Sequence, residues 1–283
     1  MKVYILGASG YLGGLLSTHW KGSTVYEVVA ERIDITDFRA LQEAFARVKP
    51  DVVINFAGVK AYPTIDWCED HKEETVAVNV GGAINVMLAS LEVGAYPIQI
   101  ASGCVYSGDT SHYFTEEDEP NFYGSFYSRM RIALQNILAE LPVLYVRIRM
   151  PMSTTSHPRN FINKIVSYAK VISIPNSVTL LEDLWPALER LIEIRATGVL
   201  NLTNEGYVTH DQVLRMYTEV VNPNHTYEQI SLEQLEGPGG ITKAKRSNCV
   251  LATEKMKNLG IQMPALDADK LREVFVAYKK TIA

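Results

Sequence analysis

The sequence predicts an α/β fold, with a doubly wound parallel sheet and a smaller, irregular C-terminal lobe. Three observations predict it. Residues 2–13, KVYILGASGYLG, set a short apolar run directly before a glycine turn and a helical stretch. Apolar β-type runs then alternate with helical periodicities through the first sixty residues, which calls for parallel strands joined by crossover helices. Beyond about residue 150 the alternation gives way to segments broken by Pro151, Pro158 and Pro175. The first domain is therefore assigned to residues 1–150, with a return strand near 199–202, and the lobe to 151–283.

The first run, Val3 to Leu6, has the content of a strand buried on both faces. The glycines after it follow G-x-x-G-x-x-G, and residues 12–20 read as a helix. Strand, glycine turn and helix in that order suit a dinucleotide. The glycines let backbone N–H groups approach a pyrophosphate, and the helix N-terminus adds partial positive charge. Gly7, Ser9, Gly10, Tyr11, Leu12 and Gly13 are the candidates for that contact; a tight turn without a ligand is the alternative. This makes the first domain Rossmann-type.

Residues 24–30 (TVYEVVA) form the second expected strand. Glu31, Arg32 and Asp34 follow it, where such a fold meets the adenine ribose. An acid there suits NAD and an arginine suits the 2′-phosphate of NADP. Both are present. Arg32 and Asp34 are the candidates, NADPH is favoured through Arg32, and NADH stays possible; Glu31 is equally a solvated charge. Residues 37–48 place Phe38, Leu41, Phe45 and Val48 at helical spacing. Residues 52–55 are the third strand, and Ala57 and Gly58 beyond it join the cofactor candidates. A loop or short turn over 63–70 precedes a helix over 73–93 with Gly81 and Gly82 inside it. Strand 98–101 empties into Ser102-Gly103-Cys104. A polar loop over 107–124, a helix over 126–141 and a strand over 143–148 complete the domain. Helices are expected at 160–169, 180–194, 209–221 and 267–278, and GVLN at 198–201 returns to the main sheet.

Composition narrows the function. The formal charge is −5, so there is no basic surplus for nucleic acid. No apolar run approaches the roughly 20 residues of a membrane span, and 2–13 is no signal peptide. Three cysteines with no C-x-x-C pair argue against a disulfide framework or a metal site and suit a reducing, cytoplasmic setting.

Four places could carry chemistry. Tyr127 and Arg131 are four apart on an expected helix and share a face. A cation beside a phenol favours proton exchange with a substrate oxygen near neutral pH. Such pairs are common in a chain with 15 Tyr and 27 Lys+Arg; this one stands out because it opens a helix after the fourth strand and its loop. Ser102 and Cys104 lie at the carboxyl end of a strand, where open α/β sheets bind ligands. Ser102 suits a hydrogen bond to a substrate oxygen, and Cys104 suits proton shuttling or, alternatively, quiet apolar packing. Lys164 is a short-helix lysine, ordinarily solvated. Arg246 is either an anion clamp or part of an exposed basic loop.

Together these residues resemble the extended short-chain dehydrogenase/reductases. The match is closer to the dTDP-4-dehydrorhamnose reductase type and its bifunctional UDP-4-keto-6-deoxyglucose 3,5-epimerase/4-keto-reductase branch. It is carried by DWCE at 66–69, EEDEPNFYGSFYS at 116–128, VRIRMPM at 146–152, PRNFINK at 158–164, VISIPNSVT at 171–179 and RSN at 246–248. The resemblance implies a nucleotide-L-rhamnose synthase acting on a UDP- or dTDP-linked 4-keto-6-deoxyhexose with NADPH. It implies Ser102 and Tyr127 at the 4-keto group, and Cys104 and Lys164 as the epimerising acid–base pair. Substrate contacts fall at Asn160, Val171, Ile174 and Arg246. A homodimer through the helices at 73–93 and 126–141 is also implied. Arg131 departs from the pattern, which has lysine there. That leaves a silent NADP-binding regulatory subunit, or an epimerase without net reduction, as the alternatives.

Overall fold

The structure, a computed structural model, describes residues 1–59 and 63–282. In chain order the elements are β1 (Lys2–Leu6), α1 (Tyr11–His19), β2 (Glu27–Val29), α2 (Phe38–Val48), β3 (Val52–Asn55), α3 (Trp67–Asp70) and α4 (Lys72–Val76). A π-helical turn, Ala77–Gly82, joins α4 to α5 (Ala83–Glu92). Then come β4 (Tyr96–Ser102), β5 (Tyr113–Phe114), α6 (Phe126–Leu138), β6 (Leu144–Ile148), α7 (Phe161–Val166), β7 (Lys170–Val171), α8 (Leu181–Ile194) and β8 (Gly198–Asn201). The chain ends with α9 (His210–Val220), β9 (Glu228–Gln229), α10 (Leu232–Glu236), β10 (Val250–Leu251), α11 (Glu254–Asn258) and α12 (Ala268–Ile282).

Six strands form one sheet in the order β2-β1-β3-β4-β6-β8. β1 pairs in parallel with β2 and β3, and β3 with β4, in the register Ile5 to Ile54 and Ile54 to Ile98. The α/β, Rossmann-type reading therefore holds, and GVLN does close the sheet. Strand order reverses between β2 and β3 around β1, the switch point at which such sheets bind ligands. The strands are apolar on both faces because helices cover both faces. Tyr4, Leu6, Val53, Phe45, Val86, Met87, Leu134 and Tyr145 are among the residues of that core.

Local chemistry moves several boundaries. The expected strand over 24–30 shortens to Glu27–Val29, because Ser23 Oγ accepts the Val25 and Tyr26 amides at 3.1 Å each and holds them in a turn. Asp37 caps α2 by accepting the Ala40 amide at 3.0 Å, and Lys49 ends it at φ 52. The helix expected over 73–93 spans 72–92 and is interrupted by the π turn containing Gly81 and Gly82. It is long and apolar enough, by length and composition, to cross a membrane, which corrects the expectation that no run approaches a span. Here Ala83, Val86, Met87 and Ala89 pack into the core instead. Strand β5 lies inside the expected loop over 107–124; it exists by pairing with the distant β10.

The chain divides into two compact units. One comprises Met1–Val105, Tyr123–Arg147 and Leu191–Leu200, and the other Tyr106–Phe122, Ile148–Arg190 and Asn201–Ala283. This differs from a break at 150 with a return strand near 199–202, since the segment beginning at Tyr106 joins the second unit and the part returning to the first begins at Leu191. The second unit has its own core, including Met152, Ile162, Leu214, Phe275 and Tyr278.

Candidate active site

The glycine loop closes on itself and against the end of β3. Gly7 sits at φ +75, and a Cβ there would stand 2.6 Å from the Ala57 amide nitrogen. A Cβ at Gly13 would stand 2.6 Å from the Gly7 carbonyl, and Gly10 N–H donates to that carbonyl at 2.9 Å. Both positions therefore require glycine. Ser9 is exposed, Tyr11 is buried and Leu12 is half-buried. Across the switch point Ala57 N–H donates to Asn55 Oδ1 at 2.9 Å. Gly58 is exposed, and a Cβ on it would meet Asn79 Oδ1 at 2.9 Å and Arg131 Nη2 at 3.8 Å.

That single point ties three segments together. Asn79, in the π turn, is buried, and its Oδ1 accepts Val59 N–H at 3.0 Å. Among the described residues its Nδ2 is a buried donor without an acceptor, and so is Arg131 Nε. Orphaned buried donors cost about 1–3 kcal/mol each, a cost that a bound polar ligand offsets. A cradle that a Cβ would fill, next to two unanswered donors, fits a dinucleotide.

Helix α6 presents the tyrosine. Ser125 caps it, accepting Ser128 N–H at 3.1 Å. The Phe126 N–H donates to Glu69 Oε1 at 2.5 Å, so α3 fixes the first turn of α6. Arg131 Cζ lies 5.0 Å from the centre of the Tyr127 ring, which confirms the shared face. Tyr145, from β6, donates to the Arg131 carbonyl at 3.1 Å. Burial pulls the Arg131 guanidinium down, but Tyr127, Tyr145 and Cys68 outweigh it and leave it above its ordinary value. The charge is therefore permanent at any working pH.

At the end of β4, Ser102 Oγ accepts Cys104 N–H at 3.1 Å, leaving the hydroxyl hydrogen to donate. Cys68 and Cys249 are fully buried, whereas Cys104 is half-buried. Burial pushes the Cys68 thiol up. Beside the core strands, Asn55 Nδ2 donates to Gln99 Oε1 at 2.8 Å. At the end of β2, Glu31, Arg32 and Asp34 are all exposed.

The other candidates belong to the second unit. Asn160 is wholly buried and its amide is spent on backbone. Oδ1 accepts Ile162 N–H at 3.1 Å, and Nδ2 donates to Ser153 and Thr155 carbonyls at 2.7 and 2.8 Å. It is a cap that shapes the loop before α7. Val171 is buried in the second core. Ile174 is half-buried. Lys164 is half-buried on α7. Arg246 is half-buried and its Nη1 donates to the Ala244 carbonyl at 2.7 Å.

Residue patterns alone missed Asn79, Glu69 and Arg47. Asn79 carried a faint signal, a polar residue inside an apolar helix. Glu69 lay inside the DWCE stretch without a role read from it, and Arg47 carried no signal, since surface-type arginines occur throughout the chain.

Comparison with known proteins agrees with this geometry. The RmlD substrate binding domain family matches residues 1–278. A bifunctional dTDP-4-dehydrorhamnose 3,5-epimerase/dTDP-4-dehydrorhamnose reductase of Arabidopsis thaliana is 36% identical over 286 residues, 98% of this chain and 93% of that protein. A trifunctional UDP-glucose 4,6-dehydratase/UDP-4-keto-6-deoxy-D-glucose 3,5-epimerase/UDP-4-keto-L-rhamnose-reductase from the same plant is 35% identical over 290 residues, 99% of this chain and 43% of that protein. The chain thus spans under half the length of that larger relative. The crystal structure of the L780 UDP-rhamnose synthase of Acanthamoeba polyphaga mimivirus superposes with a TM-score of 0.91 at 32% identity, covering 98% and 99% of the two chains. Glycine cradle, capped tyrosine helix and a match over nearly the whole length lead to one conclusion: the chain belongs to the RmlD substrate binding domain family.

Proposed function

We infer that the chain is an NADPH-dependent nucleotide-L-rhamnose synthase, acting on UDP- or dTDP-linked 4-keto-6-deoxyglucose by 3,5-epimerisation and 4-keto reduction. The observation that carries this reading is the Tyr127 ring 5.0 Å from the Arg131 guanidinium, with Arg131 Nη2 beside Gly58. The similarity to the two plant enzymes and the viral synthase supports the substrate class.

Gly7, Gly10, Gly13, Ala57 and Gly58 hold the dinucleotide, with Asn79 Nδ2 and Arg131 Nε as donors to it. When bound, the nicotinamide supplies hydride to the C4 carbon. Tyr127 gives the C4 oxygen its proton, so that hydride plus proton make the alcohol. Ser102 donates a hydrogen bond to the same oxygen. The hydrogens at C3 and C5 are acidified by the ketone, and inversion removes a proton from one face and returns one to the other. Cys104 and Lys164 are proposed for that exchange. Val76, Leu88 and Val93 around α4–α5 and Ile137 on α6 are exposed. They support a homodimer, which light scattering would register as twice the 31.6 kDa chain mass.

Mass spectrometry of UDP- and dTDP-4-keto-6-deoxyglucose incubated with protein and NADPH in D2O tests the function. The expected product has gained one hydride and carries deuterium at C3 and C5. No NADPH consumption with either sugar would sink the reading. Deuterium uptake that persists unchanged in Cys104→Ala would remove the thiol from its role.

A further inference from the structure

Both acids that follow β2 are engaged within the protein. Glu31 takes a two-pronged bond from Arg47, in the last turn of α2. Nη1 lies 3.1 Å from Oε1 and Nη2 lies 2.6 Å from Oε2. From the opposite side the Tyr4 phenol, on buried β1, donates to Oε2 at 3.2 Å. Asp34 Oδ1 accepts the Thr36 amide and hydroxyl at 2.9 and 2.8 Å. Arg32 stands exposed between them.

A carboxylate at this place in a dinucleotide fold selects NAD by accepting from the ribose diol. It also repels a phosphate carried on the 2′ oxygen. We propose that Arg47 is a specificity-determining residue: it holds Glu31 away from the ribose and so sets the site for the 2′-phosphorylated dinucleotide, whose phosphate Arg32 receives. This rests on the dinucleotide reading above. The electrostatics agree with the geometry. The Arg47 hydrogen bond holds the Glu31 carboxyl below its ordinary range, and the same bond raises Arg47. Burial, and then Glu31, push the Tyr4 phenol up, so it remains a donor. The latch is thus ionised at every assay pH. Arg47 is partly exposed, with 62% of its side chain accessible, so its removal leaves the fold intact.

Isothermal titration of NADP+ and NAD+ into the wild type, Arg47→Ala, Glu31→Gln and the double variant tests the proposal. The wild type is expected to prefer NADP+. Arg47→Ala should lower the NADP+/NAD+ affinity ratio by about tenfold, the size of one charge contact near a surface. Glu31→Gln should keep the ratio, and the double variant should recover most of what Arg47→Ala loses, because the acid to be restrained is gone. A ratio unmoved by Arg47→Ala overturns the proposal. So does a double variant without recovery, which would make Arg47 a direct phosphate ligand. If neither nucleotide binds the wild type, the dinucleotide reading itself falls and this inference with it.

Discussion

Tyr127 and Arg131 behave as one unit, since the guanidinium over the ring contributes about 0.5–2 kcal/mol of cation–π attraction. Replacing Tyr127 by Phe keeps the ring and its packing but removes the proton. NADPH oxidation should fall by about 10²–10⁴-fold, the usual worth of a general acid, while NADP+ binding by calorimetry should be retained. Arg131→Lys preserves the charge, and steady-state turnover should be equal or better; a large loss would reveal a role specific to the planar guanidinium. At Gly58 an added methyl would stand 2.9 Å from Asn79 Oδ1, which is already bonded to Val59 N–H. Gly58→Ala should therefore weaken nucleotide binding several-fold with little change in melting temperature. The glycines and Tyr127 were visible as residue types in a known order. The need for glycine at Gly58 was not, because its neighbour Asn79 is distant in sequence.

At the level of elements, α6 is steered from outside. The Glu69 carboxylate on α3 accepts the Phe126 N–H at 2.5 Å, one residue before Tyr127. Glu69→Ala removes an N-terminal acceptor worth about 1 kcal/mol. It should lower both the melting temperature and kcat with KM nearly unchanged, since Tyr127 loses its fixed register. Glu69→Gln keeps an acceptor oxygen, and its steady-state kinetics should recover most of the loss; no recovery would make the charge itself the active feature. Sequence periodicity placed β3 at its observed limits and found α2, α6 and α9 to within a few residues, because amphipathic spacing is a local property. It gave no sign of the π turn at Ala77–Gly82 or of β5. Each depends on a partner: Asn79 with the β3 loop, and Tyr113–Phe114 with Val250–Leu251.

For the molecule as a whole, pH acts through buried imidazole. His210 is held below its ordinary 6.5 chiefly by burial, and Arg149 adds to this; a bond to the Ile172 carbonyl opposes it. The folded state resists a proton that the unfolded chain accepts, so the unfolded state binds more protons between the folded value and 6.5. Stability is therefore fully present above 6.5 and falls as pH drops through that window. Calorimetric melts at pH 7.5 and 5.5 should show a lower midpoint at 5.5, and His210→Gln should reduce that difference. His157, also held low by burial, accounts for part of the remainder.

The sequence alone determined the alternation of strands and helices, the glycine loop and the helix that carries Tyr127, since each is written in residues a few positions apart. Tertiary structure decided the rest. It ordered the six strands, sent the segment after Val105 into the second unit, and locked Glu31 to Arg47 and Tyr4. Those outcomes depend on contacts between residues far apart in the sequence, from 16 positions for Glu31 and Arg47 upward, and only the packed chain brings such groups within bonding distance.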